Sequence, residues 1–172
     1  MGAGKNLVIV AGILTLVGTY ALSWFSFPYG TTQYASGIGG LLRVFDLFAN
    51  NSFYVRRYGL PSWAFIVIGA LVILFLVSGA LQILVIKKRA CGILGTIMPF
   101  LMGIALLLGA ILNLLSFIRF YLEIYGTAPI IEGILPYHWV IYGEVGSIGS
   151  YFILAGGILG LIGVIKSKEE FY

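Results

Sequence analysis

The chain has 172 residues, 60% of them apolar and only 9% charged, with a formal net charge of +4. Its mean hydropathy is +1.07. Soluble domains carry roughly a quarter charged residues, so a surface wetted on all sides is excluded and one membrane domain spanning residues 1–172 is expected.

Four apolar runs are long enough to cross a hydrocarbon core of about 30 Å, which takes roughly 20 helical residues. They fall at about Leu7–Phe27, Ser62–Ile86, Cys91–Ile118 and Gly146–Ile165. Charge placement orients them. Lys5, Lys87, Lys88, Arg89, Lys166 and Lys168 flank the runs on one side; Arg43, Arg56, Arg57 and Arg119 lie on the other, beside Asp46, Glu123, Glu132 and Glu144. The excess of lysine and arginine marks the first side as cytoplasmic, with both termini inside. These cations are read as topology markers, and no nucleic-acid partner is expected. The single cysteine, Cys91, allows no intramolecular disulfide and is read as a packing residue at the inner membrane edge.

In chain order, Gly2 is followed by Asn6 where a myristoylation signal needs Ser or Thr, so that signal is rejected. The first apolar run exceeds the 7–15 residues of a signal-peptide core, so it is read as a first membrane helix, ended by Pro28. Thr15, Thr19 and Ser23 are four apart on it and form a hydroxyl stripe. Such a stripe bonds to its own helix carbonyls or to one neighbouring helix, with a permeation lining as the alternative. In the outer segment 28–61, apolar residues at 38, 41, 42, 45 and 48 have helical spacing and predict a short amphipathic helix. Thr31–Tyr34 and Ser52–Tyr58 are rich in β-branched and aromatic residues and predict short paired strands. Asn50-Asn51-Ser52 fits the acceptor pattern for N-glycosylation, on the side assigned as external.

The second run opens at Pro61-Ser62-Trp63 and stays apolar except for Ser78 and Gln82. The loop 87–90 is so short that the second and third helices must be antiparallel neighbours. Pro99 predicts a kink in the third, and Asn113 and Ser116 lie towards its outer end. The second outer segment, 119–145, holds the only histidine, and Ile130–Leu135 and Tyr137–Tyr142 predict further strands. Trp24, Trp63 and Trp139 all fall on the outer side, as an interfacial belt and a packed aromatic cap would require.

The last run carries the strongest pattern. Gly146, Gly149, Ile153, Gly156, Gly160 and Gly163 recur at steps of three and four, so they share one helix face, with Leu161 on the lipid side. Small residues let helix backbones approach closely and gain contacts that lipid cannot supply. Similar stripes run through Ala11, Leu14, Gly18 and Ala21; Gly69, Val72, Leu76 and Gly79; and Gly95, Met98, Met102, Ala105 and Gly109. The expected fold is an all-α membrane protein, a four-helix transmembrane bundle with both termini inside. A small extracellular cap of one short helix and a few β-strands would sit on it.

Charge in hydrocarbon is expensive and marks membrane function, but the central portions of the four runs have none. Gln82 and Asn113 are their strongest polar groups and are read as interhelical hydrogen bonds. Glu132, His138 and Glu144 are six apart; a metal site there is a minor alternative to one hydrogen bond from His138 within the cap. No nucleophile elbow, zinc-protease, phosphate-loop or haem motif occurs, so no catalytic residue and no cofactor is expected. The plan of the chain resembles the claudin and peripheral-myelin-protein type of tetraspan, and Gly40-Leu41-Leu42 is loosely similar to the Gly-Leu-Trp of claudin first loops. The cysteine pair of that loop is missing here, and the likeness implies architecture alone. The expected function is non-enzymatic: an accessory, assembly or cell-surface scaffold component of the cell membrane. It would associate with itself or other membrane subunits through its glycine faces and aromatic cap. Two alternatives remain open, a small channel or transporter lined by Thr15, Thr19, Ser23, Asn113 and Ser116, and a membrane enzyme or metal-binding subunit using Glu132, His138 and Glu144.

Overall fold

The computed structural model describes residues 2–22, 24–27, 33–35, 45, 48–111 and 148–167. Helices α1 (Ala3–Leu16), α2 (Asn51–Tyr58), α3 (Ser62–Leu76), α4 (Ser78–Ile83), α5 (Arg89–Ile111) and α6 (Ile148–Lys166) follow one another along the chain. A π-helical turn, Val17–Ala21, extends α1, and a 3-10 turn, Leu84–Ile86, extends α4. Strands β1 (Phe25–Phe27) and β2 (Gln33–Ala35) pair antiparallel with Ser26 opposite Tyr34. Among the described residues three stretches are long and apolar enough to cross a membrane: Ala3–Ala21, Arg89–Leu108 and Ile148–Lys166. Ser62–Leu76 is apolar but shorter.

Two helix boundaries differ from expectation. The first helix stops at Ala21, seven residues before Pro28, because Leu22 turns extended (φ −114°, ψ 152°). The widened π turn bonds Leu22 N–H to the Val17 carbonyl at 3.1 Å. The Gly18 carbonyl accepts a 2.9 Å hydrogen bond from the Trp24 indole N–H. A side-chain donor thus serves a helix end that proline was expected to close. The second run is not one helix over 62–86 but breaks at Val77 (φ −87°, ψ −3°), immediately before Ser78-Gly79. Serine–glycine pairs are a recognised site of helix breaks. Tyr20 stabilises this one by donating its hydroxyl to the Leu76 carbonyl at 2.7 Å. Pro99, in contrast, lies inside a continuous α5.

The expected strand at 52–58 is also corrected: those residues form α2. Gly59 ends it with a left-handed φ of 67°, and its N–H bonds the Val55 carbonyl at 2.9 Å, an αL helix stop. Pro61 follows, where a helix cannot continue. Asn51 and Ser62 then clamp the starts of α2 and α3 together, Ser62 Oγ donating to Asn51 Oδ1 at 2.9 Å and Asn51 Nδ2 to the Ser62 carbonyl at 3.2 Å. Residues 33–35 are strand, paired with 25–27 and not with 52–58. Of the amphipathic segment 38–48 only Phe45 and Phe48 are described, both helical; the strands expected within 130–142 lie outside the described residues.

Packing is pairwise and layered. α1 lies against α6 and α4, and α5 lies against the same two. At one end an aromatic layer joins Trp24, Tyr54, Phe65, Phe75, Leu106 and Ile153, with Trp24 edge-on to Phe75 at 5.3 Å. At the other end Val8, Val85 and Val164 pack together. Between these two layers sit Gln82 and Thr96, hydrogen-bonded to each other at 3.4 Å, and their buried polar neighbours.

Candidate functional site

The middle layer is built where four helices present small residues to one another. From α1 come Thr15 and, in its π turn, Thr19; from α4 Ser78 and Gln82; from α5 Thr96. α6 contributes Gly156 and Gly160, which are buried. All five polar side chains are shut off from the surface, and none is ionisable. Gln82 Nε2 reaches across two helices, donating to Thr96 Oγ1 at 3.4 Å and to the Gly156 carbonyl at 3.3 Å. Both bonds are long against the usual 2.9–3.0 Å, so each is weak. Gln82 Oε1 and the hydroxyl oxygens of Thr15, Thr19 and Ser78 are buried without a hydrogen-bond partner. An unpaired buried oxygen costs about 1–3 kcal/mol, so these groups subtract from the stability that the glycine contacts provide.

Glycine makes the layer possible. A methyl added at Gly156 would collide with Thr15 Oγ1 and lie 2.9 Å from the Ala11 carbonyl. One at Gly160 would lie 2.6 Å from Thr96 Oγ1 and 2.7 Å from Gln82 Nε2. α6 has two such faces. Gly156 and Gly163 meet α1, where a Gly163 methyl would lie 2.9 Å from the Gly4 carbonyl; the buried Gly149 presents its carbonyl to Gly18. Gly157 meets α5, at 2.5 Å from Phe100 Cα. The α1–α4 contact uses Gly12 and Gly79, each against the other's carbonyl. Spacing had singled out one α6 face only. The adjacent pair Gly156-Gly157 was the available signal for a second, since neighbouring positions point about 100° apart. Thr96 was likewise missed; its signal is Gly92-x-x-Gly95-Thr96, a polar residue inside a small-residue stripe.

The remaining expected residues separate from this site. Asn50 is exposed at the start of α2, where its carbonyl accepts the Phe53 N–H at 2.9 Å. Trp63 is exposed, whereas Trp24 is fully buried and belongs to the core, not to an interfacial belt. Leu161 is half-buried; Ile158, Ile162 and Ile165 are the exposed apolar residues of α6. Asn113, Ser116, Glu132, His138 and Glu144 lie outside the described residues, as do Gly146 and Ser23. Among the described residues no group of three His, Cys, Asp or Glu is placed to hold a metal ion.

No protein-family model matches the chain, and no curated protein or solved structure matches it either. The claudin-type likeness accordingly carries no functional argument, and function must be reasoned from the residues.

Proposed function

We propose that the chain is a non-enzymatic, multi-pass protein of the cell membrane, a tetraspan four-helix bundle with both termini cytoplasmic. In this reading it serves as an accessory, assembly or cell-surface scaffold component. The observation that supports it is the use of the interior: glycines on α1, α4, α5 and α6 bring backbones into contact with no room for a methyl group. An interior spent on holding helices together leaves partner recognition to the outside. The glycine faces are occupied within the chain, so association falls to outward apolar side chains such as Ile66, Leu71, Leu101, Ile158 and Ile162, and to the outer segments.

A second reading has its own observation. The unpartnered oxygens of Thr15, Thr19, Ser78 and Gln82 lie in the middle layer, where a small channel or transporter would place solute ligands. One experiment decides between them. Protein purified in mild detergent is analysed for co-purifying subunits or self-association, and the same sample is reconstituted in liposomes for ion and proton flux. The scaffold reading expects a defined assembly and flux equal to empty vesicles. Reproducible flux that disappears in Gln82→Leu would refute it and establish the channel. Orientation is tested separately by impermeant thiol labelling in a Cys91→Ala background. Lys88→Cys, which is exposed, should react only from the cytoplasmic side and Ser52→Cys only from outside. Ser167 is fully buried and unsuited to the purpose.

A further inference from the structure

The valine layer closes the bundle at the end where cations collect. Val8, Val85 and Val164 pack there, each two or three residues from a lysine: Lys5, Lys87 and Lys166. The first turn of α1 touches the last turn of α6, a methyl at Gly4 falling 2.5 Å from Ser167 N and 2.8 Å from the Lys166 carbonyl carbon. Gly92, in the opening turns of α5, meets Val85, with Val164 at 3.7 Å. Three segments far apart in sequence thus bring Lys5, Lys87, Lys88, Arg89 and Lys166 to one end. No Asp or Glu occurs among the described residues; Glu169 and Glu170, which follow Lys168 in sequence, lie outside them.

Helix direction sharpens the electrostatics. The start of a helix carries about half a positive charge, which favours acidic residues in the first turn. α5 has none there; it begins at Arg89, directly after Lys87 and Lys88 in the preceding turn. The Arg89 Nε is buried and makes no hydrogen bond. Lys87 and Lys88 are exposed, as is Lys166 at the end of α6. Apolar side chains near these cations in sequence are exposed: Ile165 next to Lys166 by 72%, Leu84 before Lys87 by 42% and Leu94 after Arg89 by 51%. A cationic rim with exposed apolar side chains matches an amphiphile with an anionic head and hydrocarbon tails, and matches a free anion on one side only.

We propose that this end of the bundle binds the phosphate of an anionic phospholipid headgroup. Lys87 and Lys88 hold it from the turn before α5, Arg89 from the start of α5 and Lys166 from the end of α6, and the acyl chains lie along Ile165, Leu84 and Leu94. The site rests on the membrane reading of the chain but not on its orientation or on the scaffold role.

The test is thermal unfolding in mild detergent with increasing phosphatidylglycerol, against phosphatidylcholine and against inorganic phosphate at equal phosphorus. Phosphatidylglycerol should raise the midpoint above phosphatidylcholine, the rise should shrink with added salt, and inorganic phosphate should not reproduce it. Each cation near an anionic surface contributes about fivefold in affinity, so Lys87→Gln/Lys88→Gln/Arg89→Gln should weaken the lipid effect about 100-fold. Lys88→Gln alone, at an exposed position, keeps the test open should the triple variant not fold, with about a fivefold loss expected. Arg56→Gln, an exposed cation on α2, should leave the effect intact. Equal midpoints in the two lipids, an undiminished effect in the cation variants, an equal loss in Arg56→Gln, or full reproduction by inorganic phosphate would each overturn the proposal. Flotation of the wild-type chain with phosphatidylcholine vesicles reads membrane insertion on its own. Insertion without a lipid-charge effect would overturn the headgroup site while leaving the membrane reading standing.

Discussion

Replacing Gly157 by alanine adds one methyl group at the closest approach of α5 and α6. The new carbon would lie 2.5 Å from Phe100 Cα and 2.6 Å from Phe100 N, whereas ordinary contact begins at 3.4 Å. Moving from 2.5 to 3.4 Å requires a separation of 0.9 Å, and the obstacle is backbone, which cannot rotate aside as a side chain can. A gap of about 0.5–1 Å elsewhere along the same seam forfeits a quarter to a half of each contact it opens. Overpacking of this kind typically costs about 1–3 kcal/mol. Against it stands the better helix propensity of alanine, about 1 kcal/mol. The seam outweighs it, leaving a net loss of up to about 2 kcal/mol, which for a chain of this size lowers the unfolding midpoint by up to about 8 °C. Thermal unfolding in detergent measures it, with Ile162→Phe, 42% exposed on the outer side of α6, as the control expected within about 0.5 kcal/mol of the wild type. If Gly157→Ala unfolds at or above the wild-type temperature while Ile162→Phe does not, the claim that α5 and α6 touch through backbone is wrong.

Two further substitutions test the buried side-chain hydrogen bonds. Gln82→Met keeps the volume, removes two hydrogen bonds of 3.3 and 3.4 Å and abolishes the unpartnered Oε1. Because such long bonds are weak and an orphaned oxygen costs about 1–3 kcal/mol, the variant should be as stable as the wild type or more so, and a midpoint lower by more than about 5 °C would contradict the assignment. Trp24→Phe should do the opposite, since it leaves the Gly18 carbonyl in the π turn without its 2.9 Å donor and opens space beside Phe75. A loss of about 1–3 kcal/mol is expected, read from the same unfolding curves, and an unchanged midpoint would show that another group serves this carbonyl.

Apolar run length and glycine spacing are local properties, and they alone led to membrane-length helices with one small-residue face on α6. Any helix with small residues at steps of three and four will bury that stripe if it has a neighbour, whichever neighbour it is. The helix at Asn51–Tyr58 was legible too, through Gly59-x-Pro61 as a stop signal, but its aromatic and β-branched content pointed to strand. Which helix meets which face could not be read from spacing, because it depends on contacts between segments far apart in sequence. Gly156 against Thr15 and Gly160 against Gln82 and Thr96 are of this kind. So is the end of the first helix. Pro28 would have stopped it in isolation, yet the chain turns at Leu22, where Trp24 can serve the Gly18 carbonyl and bury its ring on Phe75. The same holds for the cations. Sequence placed Lys5, Lys87 and Lys166 at helix ends on one side, and the contact of Val8, Val85 and Val164 collects them into one rim. Local composition determines what each segment can do, and only the packing of distant segments decides which polar groups are left facing one another.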